Sequence, residues 1–233
     1  MDYIVKFQLE IRFERIMSFH TIIREIADNF VNFYEKLSIA NQGRFDEIFI
    51  FDLKDENTKL DFYYDKAIII SEGKESDFKD ENFSHNKLFY DMLDYLIKFK
   101  LFKKIKNQLI NIEGITTLPG DNVTNTSKLS EFFLTNKNNQ VMKDFNDFNI
   151  TLEKGSDKDK SISITFGPYE HKDLVKRTNY EKNKISKYIK TEDVGLMYYL
   201  KHFCICDNYD FHSQKQNLNE LLVYKKNLLK LIN

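Results

Sequence analysis

The chain has 233 residues, of which 42% are hydrophobic and 30% are charged, and its formal net charge is −1. A chain of this length buries roughly 70–75% of its unfolded surface, which predicts a globular protein with a substantial core. No apolar run approaches the ~20 residues that cross a bilayer, so we expect a soluble protein. The first residues alternate as a strand does, which predicts no secretory signal.

The small net charge conceals two segments of opposite sign. Residues 44–85 carry twelve acidic and six basic side chains, whereas residues 86–190 carry thirteen acidic and nineteen basic ones. A molecule built from such segments can present two faces of opposite charge to its partners. The partition therefore favours binding to a macromolecule.

The cysteine content indicates the compartment. Only one residue separates the two cysteines, so they cannot link distant parts of the chain by a disulfide, which is typical of a reducing environment. Lysine far outnumbers arginine, and asparagine and isoleucine are abundant, a composition associated with AT-rich genomes. We predict a bacterial or phage-encoded protein in the cytoplasm of a bacterial host.

Hydrophobic periodicity predicts the elements. In chain order they are a strand over 3–13, a helix over 19–37 that begins at Ser18 and ends before Gly43, and strands over 48–53, 59–64 and 66–71. A charged loop over 72–82, a helix from 88 to about 102 and an extended segment over 106–117 follow. Further along come a short helix within 121–139, a hairpin of 148–152 and 162–166, a strand over 196–206 for which a helix is the alternative, and a terminal helix starting at 217–220.

Strands grouped in hairpins with few intervening helices predict an α+β fold. We expect a predominantly antiparallel mixed sheet of about 6–8 strands with 3–4 amphipathic helices. The chain has no flexible linker, so we predict one domain over residues 1–233, with two intimate lobes, about 1–118 and 119–233, as the alternative.

Two strand-like runs, together with the order of the predicted elements, resemble a known protein family in outline. The run from Gln108 to Ile112 reads Gln-Leu-Ile-Asn-Ile, and the run from Ile162 to Pro168 precedes a late strand and a Leu-rich helix. With the N-terminal strand and long helix, this order resembles a sporadically distributed, uncharacterised bacterial protein family with a Tyr-Ile-Asn strand. The resemblance implies no activity.

Two clusters have ligand-like chemistry. On a strand, His202, Cys204 and Cys206 point the same way, and His212 is the available fourth ligand of a tetrahedral zinc site. This spacing is not typical of structural zinc, and unpaired cysteines are common in cores, so we favour packing and predict no metal and no cofactor.

The second cluster resembles part of a nuclease site. Asp52 and Lys54 flank Leu53 at the end of a strand, and Asp46 and Glu47 precede it. Restriction-like nucleases use such an acid and lysine to bind Mg²⁺ and orient water. The pattern is common by chance, so we favour a solvated charge pair and predict no catalytic residue.

The basic segment gives the strongest binding signal. Lysines crowd the end of the second predicted helix, and a later basic run is interleaved with tyrosines, a combination suited to phosphates and stacked bases. A solvated lysine-rich surface is the alternative interpretation. The candidate binding residues are Lys98, Lys100, Lys103, Lys104, Lys106, Tyr169, Lys172, Lys176, Arg177, Tyr180, Lys182, Lys184, Lys187 and Tyr188.

These patterns predict a non-catalytic macromolecule-binding protein rather than an enzyme. We expect an inhibitor, anti-defence (anti-CRISPR-like) or immunity-type protein that occludes a protein or nucleoprotein partner, with no membrane partner. The alternative is an RNA- or DNA-binding protein that uses residues 98–106 and 172–190, with or without a cryptic metal-dependent nuclease site. The oligomeric state is not determined by the sequence.

Overall fold

A computed structural model describes residues 2–54, 58–98, 104–117, 127, 149–155, 159–170, 194–207 and 209–232. The strands are β1 (Asp2–Phe13), β2 (Tyr34–Ala40), β3 (Ile48–Leu53), β4 (Thr58–Tyr63), β5 (Lys66–Gly73), β6 (Ile105–Thr117), β7 (Ile150–Lys154), β8 (Lys160–Glu170) and β9 (Val194–Ile205). The helices are α1 (Phe19–Asn29), α2 (Ser84–Lys98) and α3 (Phe211–Ile232), with a short 3-10 helix at Asp77–Lys79.

The nine strands form one sheet in the order β2-β3-β4-β5-β1-β6-β9-β8-β7, and every neighbouring pair is antiparallel. The α+β class and the antiparallel sheet are therefore confirmed. Strands from residues 1–118 and from residues 119–233 share this sheet, because β6 pairs with β9. No helix among the described residues is long and apolar enough to cross a membrane.

The sheet order turns the charge partition of the sequence into a spatial one. β3, β4 and β5 come from the acidic segment 44–85 and lie together on one side of β1. β6, β8 and β7 come from the basic segment 86–190 and lie on the other side. The central strand β1 therefore separates the two parts of the chain that carry opposite net charge.

One face of the sheet forms the core. A row of directly paired residues crosses all nine strands on this face: Leu37, Phe51, Leu60, Ile69, Leu9, Ile110, His202, Ile162 and Lys154. Paired residues in adjacent strands point to the same side of a sheet. Except for Lys154 on the edge strand, His202 is the one polar member of this row.

The helices pack on this same core face. Phe19 of α1 makes an edge-to-face contact with Phe49 of β3, and Phe89 of α2 lies against Phe62 of β4. Asn217 of α3 donates a hydrogen bond to Gln108 of β6. Phe49, Phe62 and Gln108 belong to one paired row, so the three helices form a single layer.

The sheet has one strand more than the largest predicted number, because the helix predicted over 19–37 is wrong in its second half. α1 ends at Asn29, and Leu37 belongs to β2, where it pairs with Phe51. Tyr34 packs its ring edge-to-face against Phe51 and donates its hydroxyl to the carbonyl oxygen of Ala27. These contacts hold the segment as a strand although its apolar spacing is also helical.

The predicted start of the terminal helix is also wrong. α3 begins at Phe211, and Asp210 accepts hydrogen bonds from the backbone N–H and the hydroxyl of Ser213, which is N-terminal capping geometry. Phe211 packs edge-to-face on Tyr90 of α2 and anchors this first turn. Asn217 lies inside the helix and points its side chain at the sheet.

Candidate functional site

The described part of the predicted basic patch is small. Lys98 ends α2, and Lys104 and Lys106 lie at the start of β6, all three exposed. Lys104 lies 3.4 Å from a carboxylate oxygen of Asp207. Lys100, Lys103, the Tyr169 side chain, Lys172, Lys176, Arg177, Tyr180, Lys182, Lys184, Lys187 and Tyr188 lie outside the described residues. The patch therefore stays a sequence prediction.

The nuclease-like residues are dispersed along β3. Asp52 lies near the end of the strand, with one carboxylate oxygen 3.4 Å from the ammonium of Lys59. Glu47 lies just before the strand, about 15 Å away along an extended backbone. Its carboxylate accepts hydrogen bonds from the backbone N–H of Gly43 and from His20. The hydrogen bond from Gly43 is the main reason that the pKa of Glu47 is lowered.

The sheet face opposite the helices carries side chains suited to contact with another molecule. We call this surface the open face; one paired row of it runs Ser38, Ile50, Asp61, Ile68, Glu10, Leu109, Phe203 and Ser161. Glu10 and Ile68 in this row are only 4% and 5% exposed, whereas on β9 Tyr199 is 40% and Ile205 is 53% exposed. Lys201, between them, is exposed as well.

A cleft of about 240 Å³ lies on the basic side of the open face. It is lined by Arg12, Asn107, Leu109, Ser161, Lys201 and Phe203, which come from β1, β6, β8 and β9. Lys201 and Arg12, which is ion-paired with Glu10, and two neutral polar groups surround an apolar and aromatic floor. Such a cleft suits an anionic group attached to an apolar body, for example an acidic side chain of a partner.

The acidic side of the open face has a different electrostatic character. Asp61 on β4 is partly buried, and this burial is the main reason that its pKa rises to about 6, with Asp52 adding to the effect. The described residues place no hydrogen-bond donor on one of its carboxylate oxygens. This side carries cations as well as carboxylates, because Lys59 lies 3.4 Å from Asp52, and the charges of Lys59 and Lys66 oppose the rise in the Asp61 pKa.

The cysteine and histidine cluster is only partly assembled. His202 and Cys204 share the core face of β9 as predicted, whereas Cys206 follows the end of the strand. His212 is exposed on α3, where it is hydrogen-bonded to Gln216. Within the described residues no group of three or more histidine, cysteine, aspartate or glutamate side chains is arranged to hold a metal ion.

Polar groups from distant parts of the chain surround His202 and Cys204. The His202 ring is fully buried, and its Nε2 lies 3.6 Å from Oε2 of Glu220, which accepts a 2.5 Å hydrogen bond from Lys160. Asn217 donates to the Cys204 sulfur at 3.5 Å. The pKa of the Cys204 thiol is lowered, and hydrogen bonding with Cys206 is the largest cause. Together with the hydrogen bonds to His202 and Asn217, it outweighs burial, which would raise this pKa.

Sequence reasoning did not identify the neighbours of this cluster or of the cleft. Asn217 and Glu220 are three residues apart, so the helical period predicts that they share one face of α3. It does not predict their partners, which lie on other elements. Gln108 is 96 residues from Cys204 along the chain, and only the pairing of β6 with β9 brings them together.

Comparisons with known proteins add no assignment to this geometry. No protein-family model matches the chain, and no curated protein sequence matches it.

Proposed function

We propose that this chain is a non-catalytic protein that binds a macromolecular partner, and that the open face is its contact surface. The observation that carries the proposal is the placement of exposed aromatic, apolar and charged side chains of β9 on the side of the sheet away from the helices. In this proposal the protein acts in the cytoplasm as an inhibitor, anti-defence or immunity-type protein that occludes its partner.

The apolar content of the surface supports the proposal. Tyr199 and Ile205 are exposed, and Phe203 and Leu109 are half-buried on the same face. Aromatic residues are enriched in protein interfaces, and grouped exposed apolar residues on a sheet face are typical of contact surfaces. These side chains give a partner apolar area to bury on β6 and β9.

The distribution of charge favours a protein as this partner. Arg12, which is ion-paired with Glu10, and Lys201 line the cleft on one side of the open face. Asp52, which is ion-paired with Lys59, and Asp61 lie on the other side. A nucleic acid that extended across the sheet would bring its phosphates to these carboxylates. A protein surface with both signs of charge can complement both sides and gain specificity from the arrangement.

A site-specific crosslink tests the contact surface. Tyr199 is replaced by the photoreactive residue p-benzoylphenylalanine, and the matched control carries it in place of Val223, which is 55% exposed on α3. Each full-length variant is irradiated in a lysate of the source cells, with and without nuclease treatment. We expect a discrete protein adduct from position 199 that survives nuclease treatment and is absent from position 223.

A charge reversal then tests the cleft. The variant with Arg12→Glu and Lys201→Glu should lose the position-199 adduct, whereas Lys215→Glu with Lys226→Glu on the exposed side of α3 should retain it. Equal crosslinking from positions 199 and 223 would contradict the proposed surface. An adduct that contains RNA or DNA and disappears with nuclease would favour the nucleic-acid-binding alternative instead.

A further inference from the structure

Cys204 and Cys206 lie at the end of β9 in an environment that simple packing does not explain. Both thiols are reduced and only partly buried, so small molecules in solvent reach them. A cysteine that serves only to fill a core is usually fully buried. The pKa of the Cys204 thiol is lowered, with hydrogen bonding to Cys206 as the largest cause.

The fully buried His202 ring is the second observation. Neither ring nitrogen lies at ordinary hydrogen-bond distance from a partner within the described part of the chain; Nε2 is 3.6 Å from a Glu220 carboxylate oxygen, and the ring also interacts with the Cys204 thiol, whose pKa it helps to lower. Burying a polar ring without hydrogen bonds is costly. Its two neighbours across the strands, Ile110 and Ile162, are apolar. The Cys204 thiol lies on the same strand face, and the imidazole can assist its ionisation.

Two amide side chains complete the surroundings of the thiol. Asn217 donates one hydrogen bond to the Cys204 sulfur and another, of 2.6 Å, to Oε1 of Gln108. Gln108 is 1% exposed, and among the described residues its Nε2 has no acceptor. Amide N–H groups directed at sulfur favour the thiolate, which is the reactive form of cysteine.

We propose that Cys204 and Cys206 form an oxidation-sensitive dithiol site that reacts with hydroperoxides. The Cys204 thiolate attacks the terminal peroxide oxygen, the O–O bond breaks, and the leaving oxygen takes up a proton, which gives a sulfenic acid at Cys204 and water or an alcohol. Cys206 then attacks the Cys204 sulfur, the S–O bond breaks, and the hydroxide leaves as water with the Cys206 proton. Two thiols are oxidised to one disulfide, and one hydroperoxide is reduced.

The backbone allows this second step. Residues two apart in a strand have α carbons about 6.7 Å apart, close to the upper end of the range, about 6.8 Å, that a disulfide spans. β9 ends at Ile205, so Cys206 is outside the paired ladder and can move toward Cys204. The site is independent of the partner proposed for the open face.

The test uses purified full-length protein and hydrogen peroxide. The wild type should form an intramolecular disulfide between residues 204 and 206, seen by mass spectrometry as the loss of two hydrogen atoms that dithiothreitol reverses. Its thiols should react severalfold faster than free cysteine at neutral pH, because the larger thiolate fraction of Cys204 is partly offset by the lower nucleophilicity of a low-pKa thiolate. Reaction no faster than that of free cysteine would overturn the proposal.

Two single variants distinguish the roles of the thiols. A third, at Glu220, tests the role of His202 by removing the carboxylate that lies 3.6 Å from its ring. Cys206→Ser should stop at a sulfenic acid that dimedone traps at Cys204, and Cys204→Ser should react no faster than free cysteine. Glu220→Gln, at a one-third exposed position, should slow the first step severalfold without changing the circular dichroism spectrum. Dimedone labelling of Cys206 rather than Cys204 would overturn the assigned order.

Discussion

Gly114 on β6 lies directly opposite Tyr198 on β9, and the missing side chain at Gly114 makes room for the buried Tyr198 ring. A β carbon at position 114 would lie 2.3 Å from the Tyr198 hydroxyl oxygen and 2.4 Å from the ring carbon that carries it. We therefore expect Gly114→Ala to lower the free energy of unfolding by about 1–3 kcal/mol in urea denaturation.

A double-mutant cycle separates this clash from a change in strand propensity. In a Tyr198→Leu background the ring is gone, so Gly114→Ala should cost much less than it does in the wild type. An equal cost in both backgrounds would show that the ring does not limit position 114.

The ion pair between Lys225 and Glu75 predicts a stability loss that depends on pH. Lys225 is almost fully buried and donates a 2.6 Å hydrogen bond to Glu75. Burial alone would raise the pKa of Glu75, but the hydrogen bonds and charges of Lys225 and Lys79 outweigh it and lower the pKa below 4.5. Glu75→Gln should cost about 1–3 kcal/mol at neutral pH, because the buried ammonium loses its anionic partner.

The acid dependence follows from the lowered pKa. A carboxyl whose pKa is lower in the folded state stabilises the fold above its ordinary pKa, and this contribution is lost as the pH falls through the folded value. The wild type and Glu75→Gln should therefore approach equal stability in urea denaturation as the pH falls well below 4.5. Asp91→Asn, at the exposed Lys87–Asp91 pair, is the control and should cost only a few tenths of a kcal/mol.

Asp61 should destabilise the fold at neutral pH. Its pKa rises from 3.8 to about 6 mainly because of burial, so folding opposes its ionisation. The penalty is absent below pH 3.8 and grows until the pH exceeds about 6. One pKa unit corresponds to about 1.4 kcal/mol, and partial solvent exposure reduces the total, so Asp61→Asn should stabilise the protein by about 1–2 kcal/mol at pH 7.5.

Thermal unfolding across the pH range checks this expectation. The stability gain from Asp61→Asn should disappear as the pH falls through the interval from 6 to 3.8. Asp207→Asn, at a side chain that is 77% exposed, should show no such trend. A gain of equal size at pH 3 would mean that ionisation of Asp61 is not the cause.

Charge reversal in the basic segment tests the sequence-based part of the proposed function. Lys182→Glu with Lys184→Glu should weaken partner capture more than Lys215→Glu with Lys226→Glu, because only the first pair lies in the predicted binding segment. Binding of a short oligouridylate should also be weak and independent of these changes. If it is tight and falls with salt at a log-log slope of roughly 0.7 per phosphate contact, the partner is a nucleic acid.

Patterns within single elements predicted much of this fold. Alternation predicted the extent of β1 and the pairing of the β7–β8 hairpin. The faces were predicted less well, because a register shift between Ile4 and Phe7 buries Ile4, and four of the five residues of the edge strand β7 are exposed. The boundary between α1 and β2 was wrong because Phe30, Phe33 and Leu37 keep helical spacing by coincidence. Only the pairing of Leu37 with Phe51, which requires knowledge of the sheet order, shows that this segment is extended.

The candidate sites were harder to predict, because they combine residues that are distant in the sequence. Alternation placed His202 and Cys204 on one face of a strand, as the structure confirms. It gave no indication that Asn217 and Glu220 of α3 would lie against them. The cleft likewise joins Arg12 of β1 to Lys201 of β9, and it exists only because β6 lies between these strands.

The alternation of β9 has a consequence for how this protein can diverge. Tyr199, Lys201 and Ile205 face outward, and His202 and Cys204 face the helices, so substitutions can alter one set without changing the other. A single-residue insertion within β9 would exchange the two sets beyond that point. We therefore expect related sequences to vary freely at the outward positions while the length of this strand stays constant.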